Sequence, residues 1–210
     1  MFDSLKSLAQ RFKKTHAFFS QENLENLILK YDQHVALLVI DVQKEFCDPA
    51  GRRGNGETEE ISGRIQSIVP AFRKAGVPVY AVYFSRNGEK NPQEIDFYKF
   101  QPAPEDKLVA KNTDSAFHSG KLKDILAADK PKLLLACGFN QIACVLDTVL
   151  SARQLGYDIC LMEDLTGNDK GCLIDKRWAS SSRKEMLRKG AVMTTSAEVL
   201  KHLHAKALRA

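Results

Sequence analysis

The chain has 210 residues, 44% hydrophobic and 27% charged, with a formal charge of +5 and a pI near 8.9. Such a composition belongs to a globular protein with room for one sizeable core and too little for two. No block of like charges marks a nucleic-acid partner, no apolar run reaches the roughly 18 residues of a membrane span, and Met1 to Gln21 lacks the apolar core of a secretory signal. Five cysteines, an odd number without CxxC spacing, indicate neither a disulfide framework nor a zinc site, and a reducing cytoplasm fits them best. The mild positive balance favours small anionic ligands.

Two helical stripes open the chain, one over Phe2, Leu5, Leu8, Ala9 and Phe12 and one over Leu24, Leu27, Ile28 and Tyr31. They define an N-terminal helical extension, residues 1–33, ahead of a main domain, residues 34–210. The extension is read as an extra cover on the core. Its excess of Lys6, Arg11, Lys13 and Lys14 leaves a targeting or membrane-surface helix as the alternative.

Val35 to Val42 is a continuous apolar run interrupted only by Asp41, the pattern of a strand buried on both faces. In open parallel sheets ligands bind beyond the carboxyl ends of the strands, so Asp41 is placed either for chemistry or as the cap of the next turn. A glycine-rich loop (GRRGNG) lacks the dinucleotide-binding order and leads to a helix from about Thr58 to Ala75, ended by Gly76. Val77 to Phe84 is the next strand. Ser85 to Asp106 is long enough for a loop that covers a pocket and selects the substrate. Lys107 to Ala110 leads into Lys111, and a short helix follows over Lys121 to Ala128.

Leu133 to Phe139 reads as a buried strand that delivers Cys144 to a helix over Ile142 to Leu155, stopped by Gly156. A thiol in the first turn of a helix meets the positive end of the dipole, which favours thiolate. A strand over Tyr157 to Met162, a polar loop from Glu163 to about Asp175, a helix through Trp178 and Met186, a strand over Ala191 to Thr194, and a helix over Ala197 to Leu208 capped by Ser196 complete the chain. Near-continuous alternation of strands and helices predicts an α/β fold: a doubly wound, mostly parallel sheet between two helical layers.

Three separated segments thus each offer one reactive group. LLVIDVQKEF (Leu37 to Phe46), LVAKNTDSAF (Leu108 to Phe117), GFNQIACVLDTVLSARQLGYDICLMED (Gly138 to Asp164) and TTSAEVL (Thr194 to Leu200) together resemble the isochorismatase-like cysteine hydrolase superfamily, which includes nicotinamidases and N-carbamoylsarcosine amidohydrolases. The resemblance spans roughly residues 35 to 200 and implies a Rossmann-like three-layer fold, a small-molecule substrate, no cofactor and a homo-oligomer.

It also implies a triad of Cys144 as nucleophile, Asp41 as base and proton shuttle, and Lys111 as electrostatic support. Backbone N–H groups of Ala143 and Cys144 would form the oxyanion hole, next to a cis peptide at Phe139–Asn140. Gln43, Phe46, Phe117 and Gln141 fall on positions that line the pocket in relatives, with core packing as the alternative for the two phenylalanines. Gln141 stands where many members have threonine.

No metal is expected, because no histidine lies between His34 and His118 where nicotinamidases carry metal ligands, and His202 and His204 point about 200 degrees apart on a helix. Arg52, Arg53, Arg86 and Arg177 are loop arginines able to meet a substrate carboxylate or to remain solvated. The activity implied is hydrolysis of a C–N bond in a small amide or carbamoyl compound through a thioester. Acid-driven vinyl-ether hydrolysis and a catalytically silent binding member are the alternatives.

Overall fold

The computed structural model describes residues 24, 26–28, 30–31, 34–172 and 176–207. The helical stripe over Phe2 to Phe12 lies outside the described residues, as does the side chain of His204. Six strands form one parallel sheet: β1 (Val35–Ile40), β2 (Val79–Phe84), β3 (Lys107–Lys111), β4 (Leu133–Phe139), β5 (Asp158–Gly167) and β6 (Val192–Thr194). Their order across the sheet is β3-β2-β1-β4-β5-β6. The chain therefore builds outward from β1 in one direction, then returns to β4 and builds in the other. The crevice beyond the carboxyl ends of β1 and β4 is the topological switch point where such sheets bind ligands.

The helices are α1 (Lys44–Cys47), α2 (Gly56–Lys74), α3 (Lys121–Asp129), α4 (Leu146–Gln154), α5 (Lys176–Arg188) and α6 (Ser196–Ala207). Successive β1 side chains alternate faces, and both faces are covered. Val35, Leu37 and Val39 pack with Ile61, Ile65, Val69 and Phe72 of α2 and with Val199 and Leu203 of α6. Ala36, Leu38 and Ile40 pack on the other side with Leu122 and Leu126 of α3, Val149 and Ala152 of α4, and Met186 of α5. The unbroken apolar run of β1 follows from this double burial. Leu24 and Ile28 join the first of these clusters, so part of the second N-terminal stripe is embedded in the core of the main domain.

At the switch point the two central strands come unusually close. Gly138 pairs with Ile40 at φ +115°, and a Cβ there would stand 2.0 Å from the Ile40 carbonyl oxygen. Only glycine combines that backbone angle with that approach.

Three sequence expectations change. β5 does not stop at Met162: Leu161 faces Ala136 while Thr166 faces Gly138, so residues 162–165 form a bulge and the strand runs on to Gly167. A bulge disguises a strand, because its extra residues break the alternation of side chains. Second, Ser196 does not cap α6 with its own hydroxyl, which donates to Asp164 Oδ2 at 2.6 Å. The capping exchange is made one residue earlier, with Thr195 N donating to Glu198 Oε2 at 3.1 Å and Glu198 N to Thr195 Oγ1 at 3.3 Å. Third, the segment after β2 is anchored through much of its length. Ile95, Phe97 and Phe100 are buried, Phe97 stacks edge-on with Tyr83 and Phe100, and Lys44 N and Tyr98 N exchange bonds between this segment and the chain after Asp41.

Candidate active site

Asp41 is the first residue past β1. Its N–H still donates to Val82 O at 2.9 Å, as a continuing ladder would, but its φ of +53° turns the chain out of the sheet. Aspartate tolerates this left-handed conformation better than a branched residue would. The side chain is completely buried.

Lys111, the last residue of β3, starts two strands away from Asp41. Its stem spans the end of β2, passing with Nζ 5.0 Å from the centre of the Phe84 ring, to reach Asp41 Oδ2 at 2.7 Å. Gln43 fixes the strand end being crossed: its Oε1 accepts from Phe84 N at 2.6 Å and its Nε2 donates to Phe84 O at 3.2 Å. The amide of Gln43 is thus spent on the backbone.

From the other side of β1, β4 delivers Cys144 on a single π-helical turn, Gln141–Val145, ahead of α4. The Phe139–Asn140 peptide is cis. Cys144 Sγ stands 3.2 Å from Lys111 Nζ and is buried to 6% exposure. Lys111 also donates to Thr113 O at 3.1 Å, so its three N–H groups serve the carboxylate, the thiol and a carbonyl. The geometry unites Asp41, Lys111 and Cys144 in one buried cluster.

Electrostatics differ from the helix-terminus expectation. Burial and the Asp41 charge push the Cys144 thiol well above the ordinary thiol range, with Lys111 pulling the other way. The balance favours the protonated thiol over the thiolate. Burial also raises the Asp41 carboxyl, against the pull of Lys111. Lys111 resists the desolvation that would discharge it, because Asp41 and Cys144 together hold its proton. Apart from the ionic contact with Lys111, neither Asp41 oxygen has a well-directed hydrogen-bond partner among the described residues.

The turn that carries the thiol is braced from three sides. Gln141 Nε2 donates to Ala179 O at 3.0 Å and Ser182 Oγ at 3.3 Å, which ties it to α5. A threonine could not span that gap. Ile142 N donates to Asn168 Oδ1 at 3.2 Å. Asn140 and the fully buried Asp169 bond reciprocally, Nδ2 to Oδ2 at 3.1 Å and Asp169 N to Asn140 Oδ1 at 2.7 Å, while Arg53 Nε approaches Asp169 Oδ2 at 2.6 Å. Ala143 N–H, an expected oxyanion donor, is engaged within the turn by Asn140 O at 3.1 Å.

The two aromatic candidates are packed in the core. Phe46 is buried against Phe84 and under the Arg53 guanidinium. Phe117 stacks on Tyr157 in the core beneath α4. Among the loop arginines Arg53 pairs with Asp169 and Arg52 with Glu45.

Sequence reasoning passed over Asp114, whose Oδ1 lies 3.6 Å from Cys144 Sγ, and Phe84, which supports the lysine. The signal for Asp114 was its place three residues after Lys111 inside a quoted motif. Asn168 and Asp169 were hidden in the segment read as a polar loop. Among the described residues no three His, Cys, Asp or Glu side chains come together as a metal cluster. No helix among them is long and apolar enough to cross a membrane.

A family model described as the isochorismatase domain matches residues 35–198. The chain belongs to the isochorismatase family. A Bacillus subtilis relative, the uncharacterized isochorismatase family protein YddQ, is 26% identical over 136 residues, covering 61% of this chain and 75% of its own. Two solved structures share the fold. A cysteine hydrolase from Pseudomonas syringae pv. phaseolicola superposes with a TM-score of 0.72 at 20% identity, over 83% of this chain and 94% of that one. N-carbamoylsarcosine amidase from Thermoplasma acidophilum does so with 0.63 at 24% identity, over 77% and 96%. The matched residues of the family model contain all three members of the buried cluster.

Proposed function

We propose that this isochorismatase-family hydrolase cleaves a C–N bond of a small amide or carbamoyl compound through a thioester on Cys144. The observation that carries the reading is the run of contacts from Cys144 Sγ to Lys111 Nζ at 3.2 Å and on to Asp41 Oδ2 at 2.7 Å, at the switch point of the sheet. A buried thiol, a carboxyl raised by burial and a captive cation are the parts a proton-shuttling nucleophile needs.

Sγ attacks the carbonyl carbon while its proton passes to Asp41, and the C=O electron pair moves onto oxygen. When that pair returns, the C–N bond breaks and the amine leaves with the proton from Asp41. Asp41 then takes a proton from water, the hydroxide adds to the thioester, and the carboxylic or carbamic acid departs as the thiol regains its proton. A carboxyl whose pKa lies above the usual range suits both directions of transfer better than an ordinary aspartate. Lys111 stays charged throughout and offsets the negative charge that develops on sulfur. The Cys144 N–H is the first candidate for the oxyanion, and the Ala143 N–H joins it only by releasing Asn140 O.

The test is ammonia or amine release from a panel of amides and carbamoyl compounds, with intact-mass detection of an acyl adduct during turnover. Cys144→Ala and Asp41→Asn should each reduce release to background. Release that survives Cys144→Ala sinks the thioester. Vinyl-ether hydrolysis is the second reading, favoured by the raised Asp41 carboxyl acting alone as acid, and it would survive Cys144→Ala but not Asp41→Asn. Silence on every compound favours a binding member of the family. The reading also carries a homo-oligomeric, cytoplasmic protein, which light scattering and cell fractionation check.

A further inference from the structure

We propose that Asp114 makes the site selective for cationic substrates: its carboxylate, beside the Cys144 thiol and without an ion-pair partner among the described residues, receives a protonated amine carried near the scissile carbonyl. The inference rests on the hydrolase reading above and names the substrate class for that site.

The charge arrangement around Cys144 carries it. Asp114 Oδ1 is 3.6 Å from Cys144 Sγ, and the residue is exposed, so the carboxylate stands on the solvent side of the thiol. None of the ion pairs among the described residues includes Asp114. Lys111, the ammonium that touches the same sulfur, has committed its three N–H groups to Asp41, Cys144 and Thr113. It has none left for Asp114. Asp147, three residues past the nucleophile and half-buried, feels Asp114 as a like charge, with His118 partly offsetting it.

A second observation points the same way from inside the cluster. Asp41 is fully buried against the thiol, and apart from its ion pair with Lys111 neither of its oxygens has a well-directed hydrogen-bond partner among the described residues. A substrate entering here passes one carboxylate and arrives at another, while the cation present is already shared. N–H donors and positive charge are what such a place accepts, and a substrate carboxylate would meet repulsion on both sides. The local field thus opposes the +5 charge of the whole chain, from which small anions were expected. Net charge acts through the distant field, whereas selection at the thiol is decided within a few ångströms, inside the screening length of about 8 Å.

Thiol-modifying reagents of one size and different charge test this without requiring turnover. Native protein is treated with aminoethyl (cationic) and sulfonatoethyl (anionic) methanethiosulfonates at low salt, and modification of Cys144 is followed by peptide mass spectrometry. The cationic reagent should react faster by about tenfold or more. In Asp114→Asn the ratio of the two rates should fall to within about threefold, and in Asp114→Glu it should return. Taking the ratio cancels any change in thiol acidity common to both reagents. A ratio near one in the native protein, or a ratio that Asp114→Asn leaves unmoved, overturns the proposal. Unchanged melting of Asp114→Asn confirms that the exposed substitution has not unfolded the site.

With amide substrates, the same variant should lower the ratio of kcat/KM for a cationic over a neutral amide. Charge selectivity at Cys144 in a protein that hydrolyses no amide would remove the hydrolase reading and leave the cation site. Amide hydrolysis without charge selectivity would do the reverse.

Discussion

Lys111 reaches Asp41 over an intervening strand, and at 2.7 Å neither side chain of the pair is more than 1% exposed. Two opposite charges taken out of water are tolerable only together. Removing one strands the other, whereas removing both leaves a polar but uncharged site. Lys111→Met should therefore destabilise the protein by about 3 to 5 kcal/mol, and the double variant Lys111→Met with Asp41→Asn should recover most of that loss. Urea unfolding midpoints at constant slope measure both. Equal stability of the single and double variants would mean that the pair does not hold itself together.

The thiol leads to a prediction about pH. Cys144 is held above the ordinary range by burial and by Asp41, so at neutral pH it should alkylate slowly. Its iodoacetamide labelling rate should keep rising beyond the midpoint near 8.5 of an ordinary cysteine. Asp41→Asn should shift that midpoint down, because it removes a like charge, and Lys111→Met should shift it up. On the proposed thioester route the sign for turnover is set by Asp41, which must begin as carboxylate. With its pKa raised, kcat/KM should decline on acidification with a midpoint above about 3.9, the value of an unperturbed aspartate. A thiol midpoint at or below 8.5 would restore the helix-dipole account of activation.

Gly138 is the point where the fold is least forgiving. Gly138→Ala would put a methyl group 2.0 Å from the Ile40 carbonyl oxygen at a φ of +115°. Since β1 and β4 are the two central strands and carry Asp41 and Cys144 at their ends, neither can retreat without parting that buried cluster. The expected loss exceeds about 4 kcal/mol, in the range of backbone strain combined with overpacking. Thermal and denaturant melting would check it, and a loss below 1 kcal/mol would show that the strands have slack.

How far the sequence could be read follows from what each feature depends on. Strands buried on both faces announce themselves as apolar runs, so β1, β2 and β4 were legible, and with them the parallel sheet and the ends at which Asp41 and Cys144 stand. The bulge in β5 was not, because its Glu163 and Asp164 look like the start of a loop until Thr166 is seen returning to register with Gly138. Cys144 stood out among the five cysteines only through its companions. The burial that raises its pKa was not legible, since a helix start was visible in the sequence and the packing around that turn was not. Asp114 and Asp169 escaped for a shared reason: an acidic residue in a polar stretch signals nothing until its neighbours in space are known.

Asp169 is where that last omission matters most. Its side chain is fully buried, accepts from Asn140 Nδ2 and pairs with Arg53, and its N–H returns a bond to Asn140 Oδ1. Asn140 begins the turn on which Cys144 sits, so Asp169 bears on the position of Cys144 through Asn140. Asp169→Asn keeps the shape, removes the charge that Arg53 neutralises and disturbs the acceptor that Asn140 uses. The expected result is a loss of about 3 kcal/mol in stability, near the lower figure for breaking a buried pair. On the proposed thioester route a displaced Cys144 should also lower kcat by roughly ten- to a hundredfold while KM changes little. Replacing Arg53 by Met, which leaves Asp169 charged without its partner, should reproduce the stability loss. A variant Asp169→Asn that loses stability yet retains kcat when assayed well below its melting temperature would confine Asp169 to the fold.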